Sequence, residues 1–377
     1  MKNQITGNIT NSISEKDSKK INFLTRTKSS VFITLYFLLL VLLAFFSDPQ
    51  PQFIPALSVN KLYPFIFYVV FFLSTIWLNY FIAKEINNCF IRYRRTKNDI
   101  WLFSLLLFFE IVTIWIFPAV AYGLVDHISL VWAQLIFVCS ILISLLLISI
   151  CAIIYFKSNG IIVTKSYLLG LLIIVLIYLT FVAVNYLILT KSWFVLVMLV
   201  FISSVNDVFA YLGGMIYGKH KMVPQLSPKK TWEGFLTGTI VTSIISIALI
   251  LTMYFTNNLS SNINYSFIGS FVGWQWFNSM SSNTLTQEHW YWLAILCITC
   301  ITVTVISVFG DLLFSYFKRI NQIKDYSNFI PGHGGILDRI DSVSLSSAIY
   351  FVVSIIVCLS FNGFSSDSFL LTQFRII

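Results

Sequence analysis

Nine apolar runs, separated by short polar stretches, carry almost all of the pattern in this 377-residue chain. They lie at about 31–46, 62–83, 100–122, 129–156, 167–189, 193–216, 233–256, 290–316 and 342–361. A helix needs roughly 20 apolar residues to cross a bilayer, so each run predicts a transmembrane helix. The first is short, and the fourth is long enough to tilt. None contains Lys or Arg. With the N-terminus in the cytosol, 21 of the 24 Lys and Arg fall in the segments on that side, leaving Lys61, Lys191 and Arg375 outside. Basic residues collect on the cytosolic side of membrane proteins, and losing or adding one span would scramble this division. The pattern therefore predicts an all-α polytopic membrane protein of about nine transmembrane helices with a cytosolic N-terminus.

The organisation follows from the same runs. Residues 1–30 read as a disordered cytosolic tail, polar and mixed in charge. They show neither the apolar region of a signal peptide nor the Arg-rich, acid-poor character of a mitochondrial transit peptide. Residues 31–189 are N-terminal transmembrane helices. Residues 190–361 form a second transmembrane region with cytosolic loops at 217–232 and 317–341, and 362–377 is a C-terminal tail. The outside loop at about 257–289 lacks Lys and Arg and is rich in Ser and Asn.

Composition narrows the class. Hydrophobic residues make up 58% and charged residues 10%, against about 25% charged in a soluble domain. The excess of basic residues sits in short loops between spans, so it reads as topology and not as a groove for nucleic acid. Six cysteines lie in or beside apolar runs. Cys297 and Cys300 form a CxxC without further ligands at zinc spacing, and are read as buried thiols.

Charge this scarce marks sites. Residues 315–341, SYFKRINQIKDYSNFIPGHGGILDRID, hold three carboxylates, four Lys or Arg and one of the four histidines. Just upstream, Asp311, Ser315 and Lys318 are spaced i, i+4, i+7 on one helical face. A carboxylate, a hydroxyl and an ammonium in line suit a metal bound to phosphate. Gly332, Gly334 and Gly335 around His333 let backbone N–H groups approach an anion. Asp338, Arg339 and Asp341 then return two carboxylates and a guanidinium to the same cytosolic mouth. Hard oxygen ligands near phosphates point to Mg²⁺, with Asp311 and Asp338 as the expected ligands.

A second constellation opens inside the sixth span at Asp207, four residues from Tyr211. It continues through Lys219, Lys221, Ser227, Pro228, Lys229 and Lys230 to Glu233, enough cations in a small volume for a triphosphate. Intramembrane acids are functional candidates by default, which covers Glu110, Asp207 and Asp311. Glu110 has no evident partner and stays unassigned. Arg92, Arg94, Arg95 and Lys97 read as an anchor against anionic headgroups.

These residues resemble the signature of the CTP:phosphatidate cytidylyltransferases, the CDP-diacylglycerol synthases. The resemblance runs through Ser315, Lys318, Arg319, Lys324, Asp325, Ser327, Ile330 and Pro331. It then takes in His333, Gly334, Gly335, Asp338, Arg339 and Asp341. Upstream, Asn206, Asp207, Tyr211 and the stretch Leu226–Gly234 are similar to the eukaryotic form. The resemblance is good over 193–361 and covers the first five spans by hydropathy only. It implies a helical, dimeric enzyme of the endoplasmic reticulum membrane that uses Mg²⁺, with the identity of a second, monovalent or divalent, cation left open. The reaction implied joins CTP and phosphatidate to give CDP-diacylglycerol and pyrophosphate. Asp311, Asp338, Lys318, Arg339 and Asp341 would be catalytic. Asp207, Ser227, Lys229, Lys230, Ser315, Arg319, Lys324, Asp325, His333, Gly334 and Gly335 would bind substrate.

The nucleophile in such a reaction is the lipid's own phosphate oxygen, so no protein side chain need be modified, and catalysis reduces to positioning and charge neutralisation. Two competing readings are a CTP-dependent lipid kinase of the dolichol kinase kind and a transporter with Asp207 and Asp311 as ion sites. The kinase would leave no cytosine on the lipid. The transporter would need polar groups spread through the bilayer depth, whereas here they crowd at one mouth.

Overall fold

In lipid every backbone N–H and C=O must be satisfied within the chain, and helices do this segment by segment. The computed structural model describes residues 28–29, 31–43, 46, 62–89, 100–113, 130–158, 165–189, 193–259, 287–331 and 334–361. The apolar runs are helical there. The helices are α1 (Val31–Leu43), α2 (Leu62–Cys89), α3 (Ile100–Ile111), α4 (Leu130–Ser158), α5 (Lys165–Leu189), α6 (Trp193–Tyr217), α7 (Trp232–Leu259), α8 (Gln287–Ile320) and α9 (Leu337–Phe361). Among the described residues, six helices (α2 and α4 to α8) are long and apolar enough to cross a membrane, while α1 and α3 are shorter apolar helices. Large apolar side chains stay exposed on outward faces, among them Leu142, Leu146 and Ile154 of α4 and Met215 and Ile216 of α6. Such faces suit lipid. His333 and Gly332, the basic cluster 92–97, most of the loop 257–289, the C-terminal tail and the N-terminal tail apart from residues 28 and 29 lie outside the described residues.

The largest buried cluster draws on both halves of the chain: α2 to α5 contribute Ile86, Leu106, Phe156 and Tyr178, and α8 and α9 contribute Phe314 and Phe351. A second cluster joins α2, α5, α6 and α8 through Phe71, Leu187, Leu199 and Val303. Glu110, which had no evident partner, is fully enclosed. Its two carboxylate oxygens accept from Asn79 Nδ2 at 3.0 Å and Asn185 Nδ2 at 2.7 Å. Just past the end of α3, Thr113 bonds the Tyr178 hydroxyl at 2.6 Å. The acid thus staples α2, α3 and α5.

Where α6 and α7 cross, the contact is backbone to backbone. A Cβ at Gly234 would lie 2.5 Å from the Ala210 carbonyl oxygen and 3.0 Å from Gly214 Cα, and one at Gly238 2.8 Å from Ala210 Cβ. Apolar surface gives helices no preference for each other over lipid, so close packing through small residues has to hold them. Gly234→Ala is expected to cost about 1–3 kcal/mol by overpacking, read as a lower unfolding midpoint in detergent; Gly234→Val should leave little folded protein. Asn206 adds a polar tie, donating to Thr304 O at 3.2 Å and Ser307 Oγ at 3.1 Å. That sets the rotation of α6 and so the placement of its neighbour Asp207.

The segment 217–232, expected as a plain loop, contains the strands described here, β1 (Lys221–Val223) and β2 (Ser227–Thr231), paired antiparallel. Pro224 presets the turn, closed by the Leu226 N–H on the Val223 carbonyl at 3.2 Å. Pro228 is tolerated because each strand of a two-stranded sheet has a free edge. Thr231 then caps α7, its Oγ1 accepting the Gly234 N–H at 3.2 Å. Glu233 gathers the other side, accepting from the Lys219 N–H at 3.1 Å and meeting His220 Nδ1 at 2.6 Å.

Candidate active site

The end of α8 decides how the signature continues. Gln322 takes φ 56°, and its N–H returns to the Arg319 carbonyl at 3.0 Å while the Ile323 N–H reaches Lys318 O at 3.0 Å. This paired closure ends a helix on a left-handed residue. Asn321 reinforces it, accepting from Ser166 Oγ of α5 at 2.6 Å. The connecting segment is therefore 321–336, shorter than the loop expected at 317–341, and Lys318 and Arg319 stand on the last turn of α8.

The segment folds back over that turn. Tyr326 is buried, and its hydroxyl donates to the Phe314 carbonyl at 3.0 Å. Burial pushes this phenol far above its ordinary range, with nearby carboxylates adding to the effect, so it remains a neutral donor. Farther on, the Ile330 N–H reaches Gly334 O at 2.9 Å. Gly334 sits at φ +84°, where a side chain is strained.

Two ion pairs organise the site. Lys318 Nζ meets Asp338 Oδ1 at 2.7 Å, with the side chains 10% and 7% exposed. The same ammonium stands 5.3 Å above the Tyr326 ring, a favourable cation–π placement. The second pair joins the two constellations: Lys230 Nζ of β2 meets Asp311 Oδ2 of α8 at 2.6 Å. Ser315 Oγ donates to the other oxygen of Asp311 at 3.3 Å, so two of the three residues expected on one face of α8 do touch. Arg319 adds a weaker tie from α8 to the hairpin, its Nε 3.5 Å from the Leu226 carbonyl.

Asp207 and Asp341 complete the group. Both lie within electrostatic range of Asp311. Gly310 explains the approach of α9, since a Cβ there would lie 2.8 Å from the Asp341 carbonyl oxygen. Asp341 is buried, and its Oδ1 accepts the Ser342 N–H at 2.8 Å. Lys229, Lys324, Asp325 and Arg339 are exposed on the elements that carry the group, and Ser227 opens β2 half-buried, opposite Val223.

Nothing in the linear pattern marks Glu85. This α2 residue lies beside Lys84 just past an apolar run, where charge reads as topology, yet it is 3% exposed. It accepts from Ser327 Oγ at 2.6 Å, the Ile336 N–H at 2.9 Å and the Leu337 N–H at 2.8 Å. Asp338 Oδ2 takes the Gly335 N–H at 2.9 Å and the Tyr326 N–H at 3.0 Å. The glycine-rich turn does bring N–H groups to anions, as expected, but the anions at 335–337 are the protein's own carboxylates.

Five carboxylates (Glu85, Asp207, Asp311, Asp338 and Asp341) thus share this region with two lysines, Lys230 and Lys318. That surplus of hard oxygen fits a divalent cation. Among the described residues no three His, Cys, Asp or Glu are grouped as a metal cage. Asp311 is 27% exposed and accessible. Asp338 has both oxygens engaged, Oδ1 by Lys318 and Oδ2 by two N–H groups.

The model of the cytidylyltransferase family matches residues 53–357. A phosphatidate cytidylyltransferase of Rickettsia bellii is 37% identical over 163 residues, 42% of this chain and 57% of that protein. The Haemophilus influenzae protein of that name is 36% identical over 163 residues, 42% of this chain and 46% of its own length. The one from Saccharomyces cerevisiae is 36% identical over 154 residues, covering 36% and 33%. The chain spans about half the length of the first of these relatives. With the family model covering most of the chain, including all four residues of the two ion pairs, the protein belongs to the cytidylyltransferase family.

Proposed function

We propose that this protein is a phosphatidate cytidylyltransferase, converting CTP and phosphatidate to CDP-diacylglycerol and pyrophosphate. The observation that carries the reading is the Lys230–Asp311 contact, which joins the lysine-rich hairpin to the signature helix. A nucleotide triphosphate and a lipid phosphate are both polyanions. A site for the pair needs cations from more than one element, held by carboxylates that keep them in place.

In the reaction a phosphate oxygen of phosphatidate attacks the α-phosphorus of CTP in line, and the bond to the pyrophosphate oxygen breaks. Lys229 and Lys230 with Ser227 hold the nucleotide phosphates. Lys318, Arg319 and Arg339 offset charge on the lipid phosphate and the leaving group. Asp207, Ser315, Lys324, Asp325, His333, Gly334 and Gly335 are the further residues assigned to substrate binding, Gly335 through the backbone of its turn. Asp311 would hold Mg²⁺, with Asp338 and Asp341 the neighbouring carboxylates. When bound, the ion would supply Lewis-acid neutralisation of phosphate oxygens.

The finer topology belongs to the same proposal: nine spans, a cytosolic N-terminus, and a site at the cytosolic mouth of the C-terminal helices, in the endoplasmic reticulum membrane, as a homodimer. A soluble nucleotide and a bilayer lipid have to meet at an interface, and the 21-to-3 division of basic residues supports the cytosolic one. The test is purified protein with phosphatidate, Mg²⁺ and CTP labelled in the base, the lipid product being identified by mass. CDP-diacylglycerol is expected, and chelation with EDTA should abolish it. Phosphate without cytosine on the lipid would indicate a kinase. Ion or substrate flux without any lipid product would indicate a transporter.

A further inference from the structure

A helix begins with N–H groups that lack partners within it. At the start of α9 these belong to a turn rich in glycine, and one partner comes from far away in the chain. Glu85 of α2 accepts the Ile336 and Leu337 N–H groups across separations of 251 and 252 residues, and the Ser327 hydroxyl across 242. Three donors and the positive end of a helix face this buried carboxylate and offset part of the cost of burying it. Gly335 makes the approach possible: a Cβ at that position would lie 2.6 Å from each Glu85 carboxylate oxygen. The same helix holds the segment at a second point, where Phe329 packs on Phe81 with ring centroids 4.5 Å apart.

We infer that Glu85 is a positioning residue for the transfer reaction: it clamps the turn at 335–337 and so fixes where α9 presents Asp338 and Asp341. The inference rests on the cytidylyltransferase reading above. It gives Gly335 a specific duty, which is to admit the Glu85 carboxylate. A helix outside the signature thus sets the geometry of the signature's carboxylates.

A double-substitution cycle in the full chain tests it, using Glu85→Ala, Gly335→Ala and the two combined. Turnover to CDP-lipid is read with amide hydrogen exchange of the peptide covering 334–340. Each single substitution is expected to lower kcat by roughly 10–100-fold, the usual size when the support of a site is removed. The KM for CTP should change by less than about threefold, and exchange at Ile336 and Leu337 should rise. The combined variant should be no worse than Glu85→Ala, because the Cβ gains room once the carboxylate is gone; contacting residues couple in this way.

Losses that multiply in the combined variant would overturn the proposal, since Gly335 would then serve something other than Glu85. So would unchanged turnover and exchange in Glu85→Ala. If that variant does not fold, Ser327→Ala removes a single donor and should give a severalfold loss with raised exchange, and no change in either refutes the clamp. A wild-type protein that makes no CDP-lipid overturns the transferase reading and the positioning role together. In that case exchange alone would still report whether the clamp exists.

Discussion

Asp311→Asn protein is expected to insert and purify like the wild type yet form CDP-diacylglycerol at least 10²-fold more slowly. The substitution keeps the volume of the side chain and the Ser315 contact, so packing is spared. What changes is charge. Asp311 is the carboxylate that holds Lys230 of the hairpin at 2.6 Å, and an amide there would remove the charge that pairs with that ammonium. It is also an accessible member of the carboxylate group. One change therefore loosens the hairpin cation and weakens any divalent site. Removing a single preorganised contact to reacting charge costs roughly 10²–10³ in kcat, and losing two functions should reach the upper end. Turnover measured against Mg²⁺ concentration checks it: activity within tenfold of wild type at every concentration would exclude Asp311 from the chemistry.

Lys318→Met should have the largest effect on stability. The ammonium and the Asp338 carboxylate are both nearly enclosed. Removing one partner of a buried pair leaves an uncompensated charge, costing about 3–5 kcal/mol. Asp338 also holds the N–H groups of Tyr326 and Gly335, so the connecting segment should loosen with it. Thermal unfolding in detergent reads the loss. Adding Asp338→Asn should restore part of the stability, because an amide oxygen still accepts both N–H groups and no bare charge stays buried. Turnover should remain low in the combined variant. Equal midpoints for wild type and Lys318→Met would show that the pair does not hold the fold.

The contrast between these residues shows what a linear chain can reveal. The helices were legible because continuous apolar runs admit one structure in lipid. Asp311, Lys230, Lys318 and Asp338 stood out because charge is rare here. Their pairing did not: nothing in the spacing says that Lys230 reaches Asp311 or that Lys318 takes an oxygen of Asp338. The hairpin at 221–231 escaped because Ser-Pro-Lys-Lys-Thr has no apolar alternation, and its register comes from a turn and from packing on α6. Glu85 was hidden for a different reason. A carboxylate beside a lysine at a helix end looks like ordinary surface charge, and its partners lie about 250 residues away.

That distance has a consequence for how the molecule is made. Chains are synthesised at roughly 5–20 residues per second, so α2 leaves the ribosome on the order of 10–50 s before the turn it will hold. The earlier helices must settle in the bilayer with that acid still waiting, and the catalytic geometry is among the last parts of the protein to exist. A nascent chain stalled before α9 would have most of its membrane architecture and no working centre.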